Sequence, residues 1–355
     1  VFGGYTDLAD SSALVVDTTV PTISAIGTGA LSWGAVLNAT EDNSNGTVTV
    51  TTSGAEDGQT VTITLNGATY TNTVSSDATT VTITAAALQA LTDGQSYTLT
   101  ADVSDAAGNA AAQVTSSSFA VDTTIPVVTS VTSSTSDGSY KADDVISLVV
   151  FFSEDVSVDT TAGTPTLTLN TGGGGASVNY SSGSGTSALM FTYTVSAGQN
   201  SSDLDYSASN SLALNSATIK DSAGNDATLT LSGPGDSGSL SSVKELVIDT
   251  SAPTISAIAT GAFSWGAVLN ATEDNSNGTV SVTTVGVEDG QTVTITLNGS
   301  TYTNTVSSNA TTVTITAAGL QGLTEGSVTM TADVSDAAGN AAAQVTSSAF
   351  TYDKT

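Results

Sequence analysis

The residues of this chain that can do chemistry are carboxylates and amides, and they recur in fixed company. Three loops share the pattern Asp-x-Ala-Gly-Asn, at 105–109, 221–225 and 336–340, and three of the four Asp-Thr dipeptides, at Asp17, Asp122 and Asp249, begin the repeat boundaries. There is no His and no Cys. No Ser-His-Asp or Cys-His nucleophile can be assembled, and no zinc site of the usual kind. What remains is carboxylate, amide and carbonyl oxygen, the ligand set of a hard cation. Ca²⁺ takes about six to eight such oxygens in loose geometry. The Gly before each Asn allows the positive φ that turns a carbonyl inward. Asp, Gly and Asn also simply form turns; recurrence beside an Asp-Thr dipeptide is what favours a cation.

A duplication positions these residues. The stretch from Pro21 to Asp122 returns almost word for word from Pro253 to Asp353, with Trp33 matching Trp265 and Phe119 matching Phe350. A different unit lies between, opened by Asp122–Pro126 and closed by Asp249–Pro253. A fixed phrase separating units of similar length marks a tandem array. Four segments follow: 1–16, a terminal strand of a preceding repeat or a donated strand; 17–121, the first repeat; 122–248, a repeat of a second type; and 249–355, a near copy of the first.

The fold class is all-β. Period-two runs such as Thr47–Thr52 and Thr60–Leu65 predict strands with one buried face, and Asn66-Gly67 between two runs predicts a tight hairpin. The first repeat reads as seven strands near 22–26, 47–52, 60–65, 68–74, 79–84, 95–103 and 110–121, with a short helical crossover at 85–91. Seven short strands predict an immunoglobulin-like β-sandwich, repeated as a linear array. Alternating strand direction then puts the loops after strands two and six at the end nearest the preceding linker. The loop carrying Glu41 and Asp42 falls at the opposite end.

Three acidic junctions follow. The first gathers Asp17 with Asp57, Asp102, Asp105 and Asn109. The second gathers Asp122 with Glu41 and Asp42 on one side and Glu154, Asp155, Asp221 and Asn225 on the other. The third gathers Asp249 with Asp143 and Asp144 on one side and Asp289, Asp333, Asp336 and Asn340 on the other. Like charges so placed repel unless a cation neutralises them, so Ca²⁺ is the expected cofactor.

The segments Val121–Pro126, Asp102–Asn109 and Val36–Asp42 resemble the bacterial Ig-like repeats of giant surface adhesins, including the RTX type. Leu204–Ser207 followed by Ala217–Asn225 resembles a second repeat type of such proteins, and Ser11–Asp17 parallels Ser241–Asp249. The resemblance spans essentially the whole chain. It implies a calcium-binding extender on the bacterial cell surface, outside the cell, whose partners are neighbouring repeats of one long polypeptide or identical subunits. Tyr352-Asp-Lys354 departs from the Asp-Thr pattern and sets the last junction apart.

Composition excludes several functions. Four basic and 33 acidic residues give a net charge of −29. A nucleic-acid partner needs the opposite field, and an anionic membrane surface would repel the chain. No apolar run is long enough to insert in a bilayer. No signal peptide is visible and the chain opens in mid-strand, as a piece of something longer would. Paired acids such as Asp333 and Asp336 suit glycoside hydrolysis only beside an aromatic-walled cleft, and aromatics are 5% of residues; no enzyme is expected. Trp33 and Trp265 are expected in the core. Gly172–Gly175 lacks the Lys and helix of a phosphate loop and is expected at a hairpin tip. A Lys-Asn cross-link is open only to Lys141, Lys220 and Lys244. The expected function is a Ca²⁺-stiffened spacer, each repeat adding roughly 40 Å. Two alternatives stand beside it: a self-assembling filament or surface-layer subunit built by donation of segment 1–16, and a carbohydrate-binding surface module.

Overall fold

The computed structural model describes residues 15–172 and 174–355. They fall into two compact units. One holds the residues up to Pro126 together with Lys220–Ala227; the other holds Val127–Ile219 and Thr228–Thr355. Among the described residues no helix is long and apolar enough to cross a membrane.

In the first unit, ten strands form: β1 (Thr22–Ile23), β2 (Val36–Asn38), β3 (Gly46–Ser53), β4 (Thr60–Leu65), β5 (Ala68–Thr73), β6 (Ala78–Ile83), β7 (Ser96–Tyr97), β8 (Leu99–Asp102), β9 (Val114–Thr115) and β10 (Phe119–Asp122). One sheet runs β1-β3-β6, another β5-β4-β8-β9, and a third β2-β10-β7. The apolar members of each period-two run point inward: Val48 and Val50 from β3, Val61, Ile63 and Leu65 from β4, and Val81 and Ile83 from β6 share one core with Phe119 and Trp33. The Asn66-Gly67 hairpin forms with both residues at positive φ, 49° and 80°, as a two-residue turn matched to strand twist requires. The helix α1 (Ala85–Leu88) makes the expected crossover and buries Leu88.

Ten strands replace the seven read from the sequence, for two reasons. The run at 95–103 changes sheets at Thr98: β7 pairs with β10, whereas β8 pairs with β4. The run at 110–121 likewise divides into β9 and β10. The strand β2 lies inside what reads as a long loop, because three residues are too few to show a period. It runs parallel to β10, with Asn38 opposite Asp122.

In the second unit, the second-type repeat builds a sheet around Val145–Asp159, a strand of 15 residues paired with Val128–Ser133 on one side and Thr186–Thr194 on the other. Its register breaks between Phe151 and Val156, a bulge that re-aims side chains and carries Glu154 and Asp155. Gly138–Tyr140 pairs in parallel with Leu246–Ile248, the counterpart of β2 and β10. The glycine run at 172–175, of which Gly173 lies outside the described residues, falls between the paired strands Thr166–Leu169 and Ala176–Ser182. The third repeat copies the first: Gly278–Val285 pairs with Ala310–Ile315, and Val268–Asn270 runs parallel to Phe350–Asp353.

Trp33 and Trp265 sit in the core, at 4% and 7% exposure, each edge-on to its matching phenylalanine. The lysines open to a cross-link hold other partners. Lys220 pairs with Asp226 and Lys244 with Asp137, while Lys141 donates to the Gly339 carbonyl.

Candidate functional site

The three Asp-x-Ala-Gly-Asn loops adopt one geometry. In each, the Asp N–H donates to the Asn carbonyl at 3.1 Å, and the Gly N–H returns to the Asp carbonyl. Gly108, Gly224 and Gly339 take φ of 92°, 94° and 84°, the left-handed region where a side chain would be strained. The Asn N–H donates to its own loop's Asp Oδ1 at 2.7 Å in the first loop and 2.8 Å in the other two. Its Nδ2 donates to Oδ2 of the same Asp at 2.8, 2.8 and 2.9 Å. Asp105, Asp221 and Asp336 are thereby buried but satisfied, as buried charge requires. The Asn109 amide holds the Asp105 carboxyl below the usual carboxylate range.

Each loop also reaches the Asp-Thr dipeptide. Asn109 Nδ2 donates to the Asp17 carbonyl at 3.1 Å, Asn225 Nδ2 to the Asp122 carbonyl at 2.9 Å, and Asn340 Nδ2 to the Asp249 carbonyl at 2.9 Å. Asn225 is 1% exposed, and its Oδ1 accepts the Ala39 N–H at 2.7 Å. Ala39 arrives there because β2 lies parallel to β10, bringing the 38–44 loop beside Asp122. Asn38 completes the contact by donating to the Ala223 carbonyl. In the second unit, Lys141 plays this part by donating to the Gly339 carbonyl.

Carboxylates converge at Asp122. A ligand oxygen of Asp122 and one of Asp221 lie within 4.8 Å of each other. At an effective dielectric near 20, two charges that close repel by on the order of 3 kcal/mol. Burial pushes the Asp122 carboxyl up from its ordinary value, and the charges of Asp221 and Asp93 push the same way. Burial also raises Asp42. The two ion pairs among the described residues, Lys220–Asp226 and Lys244–Asp137, give Asp122 and Asp221 no lysine. An all-oxygen donor set without a counter-charge fits a hard divalent cation.

The other predicted residues divide. Glu154 is half-buried and Asp155 exposed, both in the bulge of the second unit. Glu41 folds back to accept the Asn38 N–H. Asp144 accepts the Lys141 N–H, and Asp143 holds the turn at φ 74°. Asp57 and Asp289 are exposed and accept the N–H of Ser76 and Ser308. Asp102 and Asp333 lie on sheet strands, with both oxygens of each taken by Gln113 and Gln344. The structure therefore brings Asp122 and Asp221 together and leaves Asp102 and Asp333 engaged elsewhere.

Several participants were missed by sequence reasoning. Asp93 Oδ1 accepts the Thr123 N–H at 2.6 Å and its Oδ2 the Thr124 hydroxyl. Asn200 Oδ1 accepts the Thr250 N–H at 2.9 Å, and Glu325 Oε1 the Lys354 N–H at 2.9 Å. Glu56 and Glu288 brace the hook loops through the Ala106 and Ala337 N–H groups. A matching acceptor ahead of each linker was the available signal, disguised because Asp, Asn and Glu share the role.

No protein-family model matches the sequence, and no curated protein matches it. Among solved structures, 94% of the chain is similar to 98% of a chain from work on host cell surface retention of a 1.5-MDa bacterial ice-binding adhesin, at 25% identity and a TM-score of 0.49. The same share is similar to 73% of a Ca²⁺-stabilized adhesin that helps an Antarctic bacterium reach out and bind ice, at 26% identity and a TM-score of 0.49. A bacterial immunoglobulin-like domain from the M. primoryensis ice-binding adhesin is 32% identical over 28% of this chain and 93% of its own length, with a TM-score of 0.21.

Proposed function

We propose that this chain is an extracellular spacer segment of a bacterial surface adhesin whose repeat junctions bind Ca²⁺. The observation that carries the reading is the pair Asp122 and Asp221, with carboxylate oxygens within 4.8 Å and no lysine counter-charge. A protein of net charge −29 places such a pair at a repeat boundary only at an electrostatic cost, which a divalent ion offsets. The adhesins similar to this chain include one described as Ca²⁺-stabilized.

The repeats are 17–121, 122–248 and 249–355. The ligands at the middle junction are Asp122 and Asp221, supplemented by Glu41 and Asp42. Asp17 with Asp57 and Asp105, and Asp249 with Asp143, Asp144, Asp289 and Asp336, serve the other two. The role requires no catalysis. Calcium titration of the full chain, followed by calorimetry, tests the reading: a melting midpoint that rises with Ca²⁺ and falls in EDTA is expected. Equal midpoints in both would remove it.

The alternatives draw less support. Strand donation rests on segment 1–16, of which residues 1–14 lie outside the described residues. The carbohydrate module needs exposed aromatic faces, and both tryptophans are buried.

A further inference from the structure

The Asp-Thr linker peptides are held at both ends by side chains alone. In the peptide unit joining Asp122 to Thr123, the carbonyl accepts from Asn225 Nδ2 and the N–H donates to Asp93 Oδ1. In the unit joining Asp249 to Thr250, the carbonyl accepts from Asn340 Nδ2 and the N–H donates to Asn200 Oδ1. The carbonyl and N–H of one peptide lie in one plane, so gripping both fixes the rotation of that plane. It thereby fixes ψ of the aspartate and φ of the threonine, the torsions through which a two-residue linker would hinge.

In Asn225 both amide hydrogens and one lone pair of the amide oxygen are engaged. Its amide offers two N–H donors and one acceptor oxygen. The partners of Asn225 Nδ2 are a carboxylate and main-chain carbonyls, which only accept. The partner of its Oδ1 is the Ala39 N–H, which only donates. Partner chemistry thus sets the amide orientation. Turning Oδ1 toward a cation would forfeit the Ala39 bond and set Nδ2 against it.

We infer that Asn225 and Asn340 are positioning residues: with Asp93 and Asn200 they clamp the linker peptide without any cation, and the clamp delivers the linker carboxylate to its site. The second half of this statement rests on the calcium reading; the first does not. Among the described residues, Asn109 gives Asp17 the same hook and Glu325 gives Lys354 the same acceptor.

Amide hydrogen exchange of the full chain in EDTA tests the clamp, with Thr123 and Thr250 as reporters and the amides of β3 and Val145–Asp159 as controls of folding. Asn225→Ala is expected to speed exchange at Thr123 by about tenfold, the scale of one or two lost hydrogen bonds, and to leave Thr250 unchanged. Asn340→Ala is expected to do the reverse. Asp93→Ala should speed Thr123, whereas Asp93→Asn, which keeps the acceptor as Asn200 does, should not. Were one hook variant unable to fold, the other hook and the Asp93 pair would still decide. Unchanged linker exchange in EDTA for these variants overturns the clamp. A second measurement, Ca²⁺ titration, addresses the delivery step: affinity should fall about tenfold in Asn225→Ala at unchanged stoichiometry, and unchanged affinity overturns that step. Faster exchange in a chain that binds no Ca²⁺ at all would leave the clamp standing and remove the calcium reading.

Discussion

Replacing Asp122 by Asn should change the sign of its effect with the cation. The substitution keeps size and leaves the main-chain carbonyl in the grip of Asn225, but removes one of two carboxylate charges whose oxygens lie within 4.8 Å. The bare repulsion is on the order of 3 kcal/mol at an effective dielectric near 20. Solvent reaches the half-buried Asp122, so the net relief on neutralisation is about 1 kcal/mol. In EDTA, then, Asp122→Asn should melt above the wild type, by a few degrees for units of this size. In Ca²⁺ the order should invert. A ligand at one hundred times its dissociation constant stabilises the folded state by about 2.7 kcal/mol, and the variant forfeits much of that. Paired melts of both proteins, in EDTA and across a Ca²⁺ series, provide the assay. A variant that melts lower in EDTA, or gains as much from Ca²⁺ as the wild type, would refute the electrostatic reasoning.

The remaining predictions concern charge and packing. Burial and neighbouring carboxylates raise Asp122, so the folded state holds the extra proton and stability in EDTA should decline as pH rises from 3.8 through the folded value; urea titration at stepped pH should show this limb, flattened in Asp122→Asn. Asp93 is held low, chiefly by the Thr123 N–H, so its contribution is present above 3.8 and lost as pH falls through its folded value; Asp93→Asn should weaken the acid limb in the same titration. Gly46→Ala drives a methyl group into the Trp33 ring, itself packed on Phe119, and should cost about 1–3 kcal/mol by denaturant unfolding. Tyr352→Phe removes the donor to Asp274 Oδ2 at 2.5 Å and strands a carboxylate that is 5% exposed; a loss of about 1–3 kcal/mol is expected from calorimetry.

The strands of the first and third repeats were legible because each long run alternates threonine with a branched apolar residue, and a one-residue slip would turn every valine to solvent. The elements that set up the site were not. Val36–Asn38 and Val268–Asn270 are three residues each, with no period to read, and their parallel pairing with the last strand is a long-range choice. Without it, nothing places Asn38 or Ala39 near Asn225. The hook loops were conspicuous, yet nothing in their spacing shows that each Asn Nδ2 reaches the carbonyl of the Asp-Thr linker. Asp102 and Asp333 were drawn in by proximity in sequence to Asp105 and Asp336. Alternation along a strand turns them onto the sheet face, where Gln113 and Gln344 wait.

The two near-identical repeats act as an internal comparison, and their differences fall where the surroundings differ. Asp42 and Asp274 occupy the same place in the same Glu-Asp-Asn loop, yet Asp274 is buried under the Tyr352 hydroxyl, while the residue matching Tyr352 in the first repeat is Val121, whose side chain offers no donor. The first repeat thus keeps a carboxylate that burial raises beside a linker whose carbonyl is hooked by Asn225; the third gives the equivalent group a hydroxyl donor of its own. Its Lys354, lying 5.1 Å over the Tyr352 ring, replaces Thr123 and brings positive charge to the end that follows Asp353. The cores also differ, with Leu31, Ala55 and Leu99 matched by Phe263, Val287 and Met330, yet one contact is common to both: Gly46 and Gly278 meet the same two tryptophan atoms. At the ends, carboxylate surroundings and counter-charge differ together. A chain of interchangeable beads would need no such adjustment. Coupled changes at Val121/Tyr352 and Thr123/Lys354 are what ends with distinct electrostatic duties require.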